Sequence, residues 1–201
     1  MRPTFAAKTT PGVVNGHVER KQRLALTPSP YQGRHRGFEL IRERPGAGHK
    51  HLVTRRELET FLELLPDWER LTRGLKAVVL ASADSWRDGY YLPGVVHLCA
   101  WPRSLWTSWS TAHYREHRGL IERLGIPTIT HARHVECCFT EGTARAWSLL
   151  HVLVHELGHH HDRMTTATRA FCARGEPFAE FYALRQEEVL FARYVDTFGF
   201  G

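Results

Sequence analysis

Residues 144–164, ARAWSLLHVLVHELGHHHDRM, constrain the fold more than any other stretch of this 201-residue chain. Thr140 is a natural N-cap, and the pattern predicts one long helix from about residue 141 to 163. A helix so apolar around its circumference must be wrapped by the rest of the domain. Yet it carries five histidines, a glutamate and an aspartate within residues 149–164. Buried imidazoles and carboxylates are costly without partners. Any fold of this chain must therefore bury the helix and satisfy those side chains.

Residues four apart on an α-helix stand about 40° apart around the axis and about 6 Å along it. His155 and His159 thus project from one face, one turn apart, close enough to reach a single zinc ion. Glu156 sits beside that face, placed to touch a zinc-bound water instead of the metal. This is the logic of the HExxH motif: two ligands and one general base. His151 shares the face but lies about 12 Å from His159 along the axis, too far to join it on one ion. His160 and His161 point elsewhere and are predicted to be surface or packing residues. Asp162 returns to the metal face, either to orient a ligand imidazole or to end the helix. Gly158 leaves room for close packing beside His159.

A catalytic zinc normally takes three protein ligands and keeps an open position. The metzincin extension is excluded, because the positions it requires hold Asp162 and Thr165. Downstream lies RGEPFAEFYA, residues 174–183, at the start of the next predicted helix. Together HELGH and Glu176-Pro-Phe-Ala-Glu180-Phe-Tyr-Ala183 resemble the gluzincin-type metallopeptidases, over about residues 140–185. The pattern is shared by minimal gluzincins and by anti-repressor and stress-response metalloproteases. The resemblance implies a zincin-like fold, with Glu176 as third zinc ligand and Glu180 as the outer partner of a ligand histidine. Glu180 is the alternative ligand. It further implies a peptide or protein substrate bound along the edge strand of a sheet.

Elsewhere the chain reads as α+β: a small mixed sheet packed on the HExxH helix, which is followed by the glutamate-bearing helix. GFELIRERPGAGHKHLV suggests two strands around a Pro-Gly-Ala-Gly turn. Thr54 and Glu57 form a capping box opening a helix to about Leu65, and PDWERLTRG closes at Gly74. LKAVVLAS is a buried strand. DGYY is expected to be a turn, and GVVHLCA, residues 94–100, a second strand: the candidate substrate-binding edge, with a plain central strand as the more common alternative. TAHYREHRGLIERLG is an amphipathic helix, HVECCFT a strand, and about 176–197 a final helix with Pro177 in its first turn. Trp101, Trp106 and Trp109 are candidates to line a cleft or, as is commoner for aromatics, to pack in the core. Tyr182, Tyr194 and His97 are candidate donors to a developing oxyanion.

Charge divides the chain. Residues 1–60 hold 12 Lys and Arg against 5 Asp and Glu, whereas residues 61–201 hold 15 against 16. Residues 1–34 are expected to form an irregular or mobile basic arm, and residues 35–201 a single catalytic domain. Such an arm could bind nucleic acid electrostatically. The four cysteines make no CxxC pair and read as small buried residues. No apolar run is long enough for a membrane helix and no signal-peptide core is visible, so the expectation is a cytoplasmic protein. Three functions follow: a zinc metallopeptidase, a nucleic-acid-associated protein with a protease-like domain, or a structural zinc protein whose site is closed by Asp162 or a cysteine. The sequence leaves the oligomeric state open.

Overall fold

The structure, a computed structural model, describes residues 13–14, 17–18, 29–32, 37–84, 87–166 and 173–199. Its first elements are a short antiparallel pair, β1 (Val13–Val14) and β2 (His17–Val18). Most of the expected arm lies outside the described residues. Residues 29–32, however, lie against the domain: Tyr31 Oη donates to Glu43 at 2.8 Å and Gln32 Nε2 donates to the Pro93 carbonyl at 2.8 Å.

The architecture is mixed α and β, as the patterning predicts. β3 (Glu39–Arg42) and β4 (His49–Lys50) flank the Pro-Gly-Ala-Gly turn. They do not pair with each other. β3 runs parallel to β5 (Ala77–Ala81), and β4 pairs antiparallel with β8 (Trp101–Pro102). Between them come α1 (Arg55–Leu64), opened by the Thr54–Glu57 capping box, and the short α2 (Trp68–Leu71). These supply the crossover that two parallel strands require.

β6 (Gly89–Leu92) and β7 (Val95–Cys99) complete a four-stranded sheet of order β3-β5-β7-β6, with only β6 antiparallel. One expectation is corrected here and one alternative is decided. DGYY is not a turn but the start of β6; the turn is Pro93-Gly94, where Gly94 takes φ +82°. Of the two readings of GVVHLCA the sheet takes the central strand and not the edge: β7 is buried at all five positions. An interior strand with parallel pairing is covered on both faces and reads as an unbroken apolar run, whereas β6 is entered through Asp88-Gly89, a dipeptide that signals a turn.

The sheet's two faces differ. Val78, Leu80, Val96 and Leu98 point into the main core with Leu149, Leu153, Val154 and Leu157. Ala77, Val79, Ala81 and Val95 form a smaller cluster on the reverse face with Tyr31 and Ile41. A second sheet, antiparallel and of order β10-β11-β9, is built from β9 (Trp106–Ser110), β10 (Thr128–Thr130) and β11 (His134–Cys138). α3 (Thr111–Arg123) follows β9, its first turn capped by Ser110 Oγ accepting from the His113 N–H.

The long histidine helix begins after Thr140, whose side chain caps it, but it is not uniformly α. α4 (Glu141–Trp147) leads without a break into a π-helical segment, Ser148–Leu153, and then α5 (Val154–Thr165). π-segments often sit at functional sites because the extra residue re-aims the side chains around it. α6 (Glu176–Phe198) packs along α5. Gly158 makes that packing close: a Cβ there would stand 3.0 Å from Ala179 Cα and 3.1 Å from its carbonyl oxygen. Among the described residues no helix is long and apolar enough to cross a membrane. Cys99 and Cys137 are buried and Cys138 half-buried; Cys172 lies outside the described residues.

Candidate metal centre

The close contact of α5 and α6 brings three donors together. His155 Nε2 lies 3.2 Å and His159 Nε2 3.4 Å from Glu176 Oε2. Tetrahedral donors about 2.0–2.1 Å from a zinc ion stand about 3.4 Å apart, so this spacing fits one ion. His159 is buried while the Glu176 side chain is 77% exposed, so the cluster opens towards solvent on its Glu176 side.

Glu180, one turn along α6, reaches the other nitrogen of His155, with Nδ1 to Oε2 at 3.1 Å. Both ring nitrogens of His155 therefore face carboxylate oxygens. Burial opposes a charge on this ring, but the bonds to Glu176 and Glu180 outweigh it and push its pKa up to about 10. Glu176 is held well below the usual carboxylate range by its bonds to His155 and His159. Glu156, only 7% exposed, is raised to about 7 by burial, against the pull of His155 and His159.

Asp162 lies in the last turn of α5, where its backbone carbonyl accepts the capping N–H of Thr166 at 3.1 Å. Its fully buried carboxylate accepts from the backbone N–H groups of Arg174 and Gly175, at 2.8 and 3.1 Å, and from Arg174 Nε at 2.7 Å. It anchors the loop entering α6 and thus sets where Glu176 begins. These bonds hold backbone and guanidinium.

The other histidines divide as their angles require. His160 is buried between Tyr91 Oη, 3.1 Å from Nδ1, and the Arg73 carbonyl, 3.0 Å from Nε2. His161 stacks on Tyr182. His151 turns away from His159 and bonds Glu187 through Nδ1 at 2.7 Å.

Beside the three donors lies a cleft of about 650 Å³. Its walls include Glu156, Glu176 and Glu180, the apolar Phe181 and Leu184, and Gly89 at the start of β6. Gly89 is required there: a Cβ would lie 2.7 Å from Val152 Cγ1 and 3.3 Å from Glu156 Cγ. The Cys99 N–H donates to the Asp88 carbonyl at 2.8 Å, which fixes the alternation of the ladder. By that parity Tyr90 and Leu92 bond inward to β7, and the N–H and C=O groups of Gly89 and Tyr91 face outward from the sheet edge.

None of the three candidate oxyanion donors lines this cleft. His97 points to the reverse face of the sheet and stacks on Tyr90, ring centroids 4.1 Å apart. Tyr194 is buried against Phe61 and Phe198. Tyr182 is held against His161 and Phe178. The tryptophans also fall elsewhere. Trp101 is buried, donating to Ser148 Oγ at 2.8 Å; Trp106 is exposed; Trp109 packs beneath the cleft against Trp147. Trp147 itself lines the cleft.

Sequence reasoning missed the polar wall opposite, formed by Arg87, Asp88, His113 and His117. A signal was present, since His113 and His117 repeat the i, i+4 spacing of His155 and His159.

Comparison with protein-family models matches none of them, and searches of curated proteins and of solved structures return no significant match. The reading of the site therefore rests on its own geometry.

Proposed function

We propose that the protein is a zinc-dependent metallopeptidase, with His155, His159 and Glu176 holding the metal and Glu156 serving as general base. One observation carries this reading: side chains from two turns of α5 and from the start of α6 converge at ligand spacing, with an acidic residue of α5 next to them in an open cleft. When bound, zinc supplies a Lewis acid that brings the acidity of a water molecule into the neutral range and polarises a carbonyl group. Glu156 accepts the proton of the attacking water and passes it to the nitrogen of the leaving amine. Glu180 holds the His155 ring through Nδ1, keeping Nε2 for the metal.

The surroundings support a peptide as substrate. An extended chain placed beside β6 would meet the outward N–H and C=O groups of Gly89 and Tyr91, the β-augmentation mode of recognition. A mixed sheet with an antiparallel edge strand over the HExxH helix, followed by a glutamate-bearing helix, is consistent with a zincin-like architecture. A closed structural zinc site is less well supported. Asp162 is already bonded to Arg174 and Gly175, and no described residue joins the three donors as a fourth.

Metal content and cleavage of a peptide library, measured for wild type, His155→Ala and Glu156→Gln, test the proposal. The expected pattern is zinc and cleavage in wild type, loss of cleavage and of the zinc at the His155–His159–Glu176 site in H155A, and zinc at that site without cleavage in E156Q. Undiminished cleavage by metal-loaded E156Q would overturn the role of Glu156. A wild type that cannot be loaded with zinc would overturn the site.

A further inference from the structure

We propose a second divalent-cation site at the floor of the same cleft, formed by His117 of α3, His151 of the π-helical segment and Glu180 of α6. The ligand atoms of these residues all lie within 4.8 Å of one another. His117 Nδ1 is 3.4 Å from Glu180 Oε1, and His151 Nε2 is 3.8 Å from Glu180 Oε2. These spacings are close to those of donors around one zinc-sized ion.

The side chains are poised for an ion in three respects. His117 is only 3% exposed, and its Nδ1 has no hydrogen-bond partner among the described residues. Glu180 Oε1, which it faces, is likewise buried without one. A buried nitrogen aimed at a buried carboxylate oxygen, neither satisfied, leaves room for a cation between them. Finally, Glu187, 4% exposed, lies 2.7 Å from His151 Nδ1. A carboxylate on the far nitrogen of an imidazole fixes the tautomer that presents the near nitrogen as a ligand, as it does for metal-bound histidines generally.

The π-segment explains why this cluster exists beside the first one. On α5 alone His151 would merely extend the row of His155 and His159. The wide turn lets it meet His117 instead, ring centroids 4.4 Å apart, while it stays 6.0 Å from the His155 ring. Two imidazoles and a carboxylate are the same donor set as the His155–His159–Glu176 cluster, so zinc is the ion assigned to both. Glu180 belongs to both neighbourhoods, binding the second ion and contacting His155.

Zinc titration of the chelator-stripped full chain, with bound metal counted by mass spectrometry, tests this in wild type, H117A and H159A. Two equivalents are expected in wild type and one in each variant. A wild type that saturates at one equivalent, abolished in H159A and kept in H117A, overturns the second site and leaves the first standing. One equivalent abolished in H117A and kept in H159A does the reverse. Zinc-edge anomalous scattering from zinc-loaded crystals of wild type needs no variant to fold. A peak between His117, His151 and Glu180 is expected there, and a map without one overturns the proposal.

Discussion

Asp162, on the last turns of α5, grips Arg174 twice: its carboxylate accepts from the backbone N–H at 2.8 Å and from Nε at 2.7 Å. Because Gly175 is held by the same carboxylate at 3.1 Å, the residue immediately before Glu176 is fixed to the helix that carries His155 and His159. Asp162→Ala strips these N–H groups of their acceptor, at about 1–3 kcal/mol for each group left buried and unpaired. The expected loss is about 2–4 kcal/mol, on the order of 10 °C in melting temperature for a chain this long. Zinc affinity should fall with it, since Glu176 loses its anchor. Calorimetry and zinc titration of D162A check both; an unchanged zinc affinity would dissociate Asp162 from the placing of Glu176.

Gly158 predicts a cost that helix propensity alone would not. In an exposed helix, replacing Gly by Ala gains about 1 kcal/mol. Here the added Cβ would stand 3.0 Å from Ala179 Cα, so α6 must give way by a few tenths of an ångström. Gly158→Val should therefore destabilise by about 1–3 kcal/mol through overpacking. It should also weaken zinc binding, by moving Glu176 away from the two imidazoles. Denaturant midpoints and zinc titration measure the two effects; a stabilised G158V with full zinc affinity contradicts the packing described.

Glu176 and Glu180 should separate in rank at the His155–His159 site. Glu180→Ala removes only the partner of His155 Nδ1, which for such outer carboxylates costs about 10–100-fold in metal affinity. Glu176→Ala removes a donor and should cost more. Measuring both in the H117A background isolates this site from the one proposed beside it. The opposite order would make Glu180 the ligand.

His97 predicts acid sensitivity remote from the candidate metal centre. Burial depresses its pKa to about 4, against the ordinary 6.5. The stability it contributes is complete above pH 6.5 and drains away as pH falls towards 4, because the unfolded chain then takes up a proton that the folded chain refuses. Between pH 7 and pH 5 the loss is about 1–2 kcal/mol from this group. His97→Phe keeps a ring against Tyr90 and cannot titrate. Urea midpoints at the two pH values should differ less in the variant than in wild type; an equal difference would remove His97 as the cause.

The long buried helix, its cap at Thr140, the His155–Glu156–His159 constellation and the α+β character are all legible in the sequence, because each depends on spacing within one element. Periodicity and capping are local physics, and the i, i+4 rule needs no knowledge of what lies opposite. The tertiary structure decided what distance along the chain conceals. It made β6 the edge and β7 the interior, because edge status depends on which strands pair and not on how apolar a strand is. It gave Asp162 to the loop before α6, and it turned His151 through a π-segment towards His117. Glu176 and Glu180 meet the imidazoles only because Gly158 lets two helix backbones touch, a contact that depends on three-dimensional packing rather than on the local sequence.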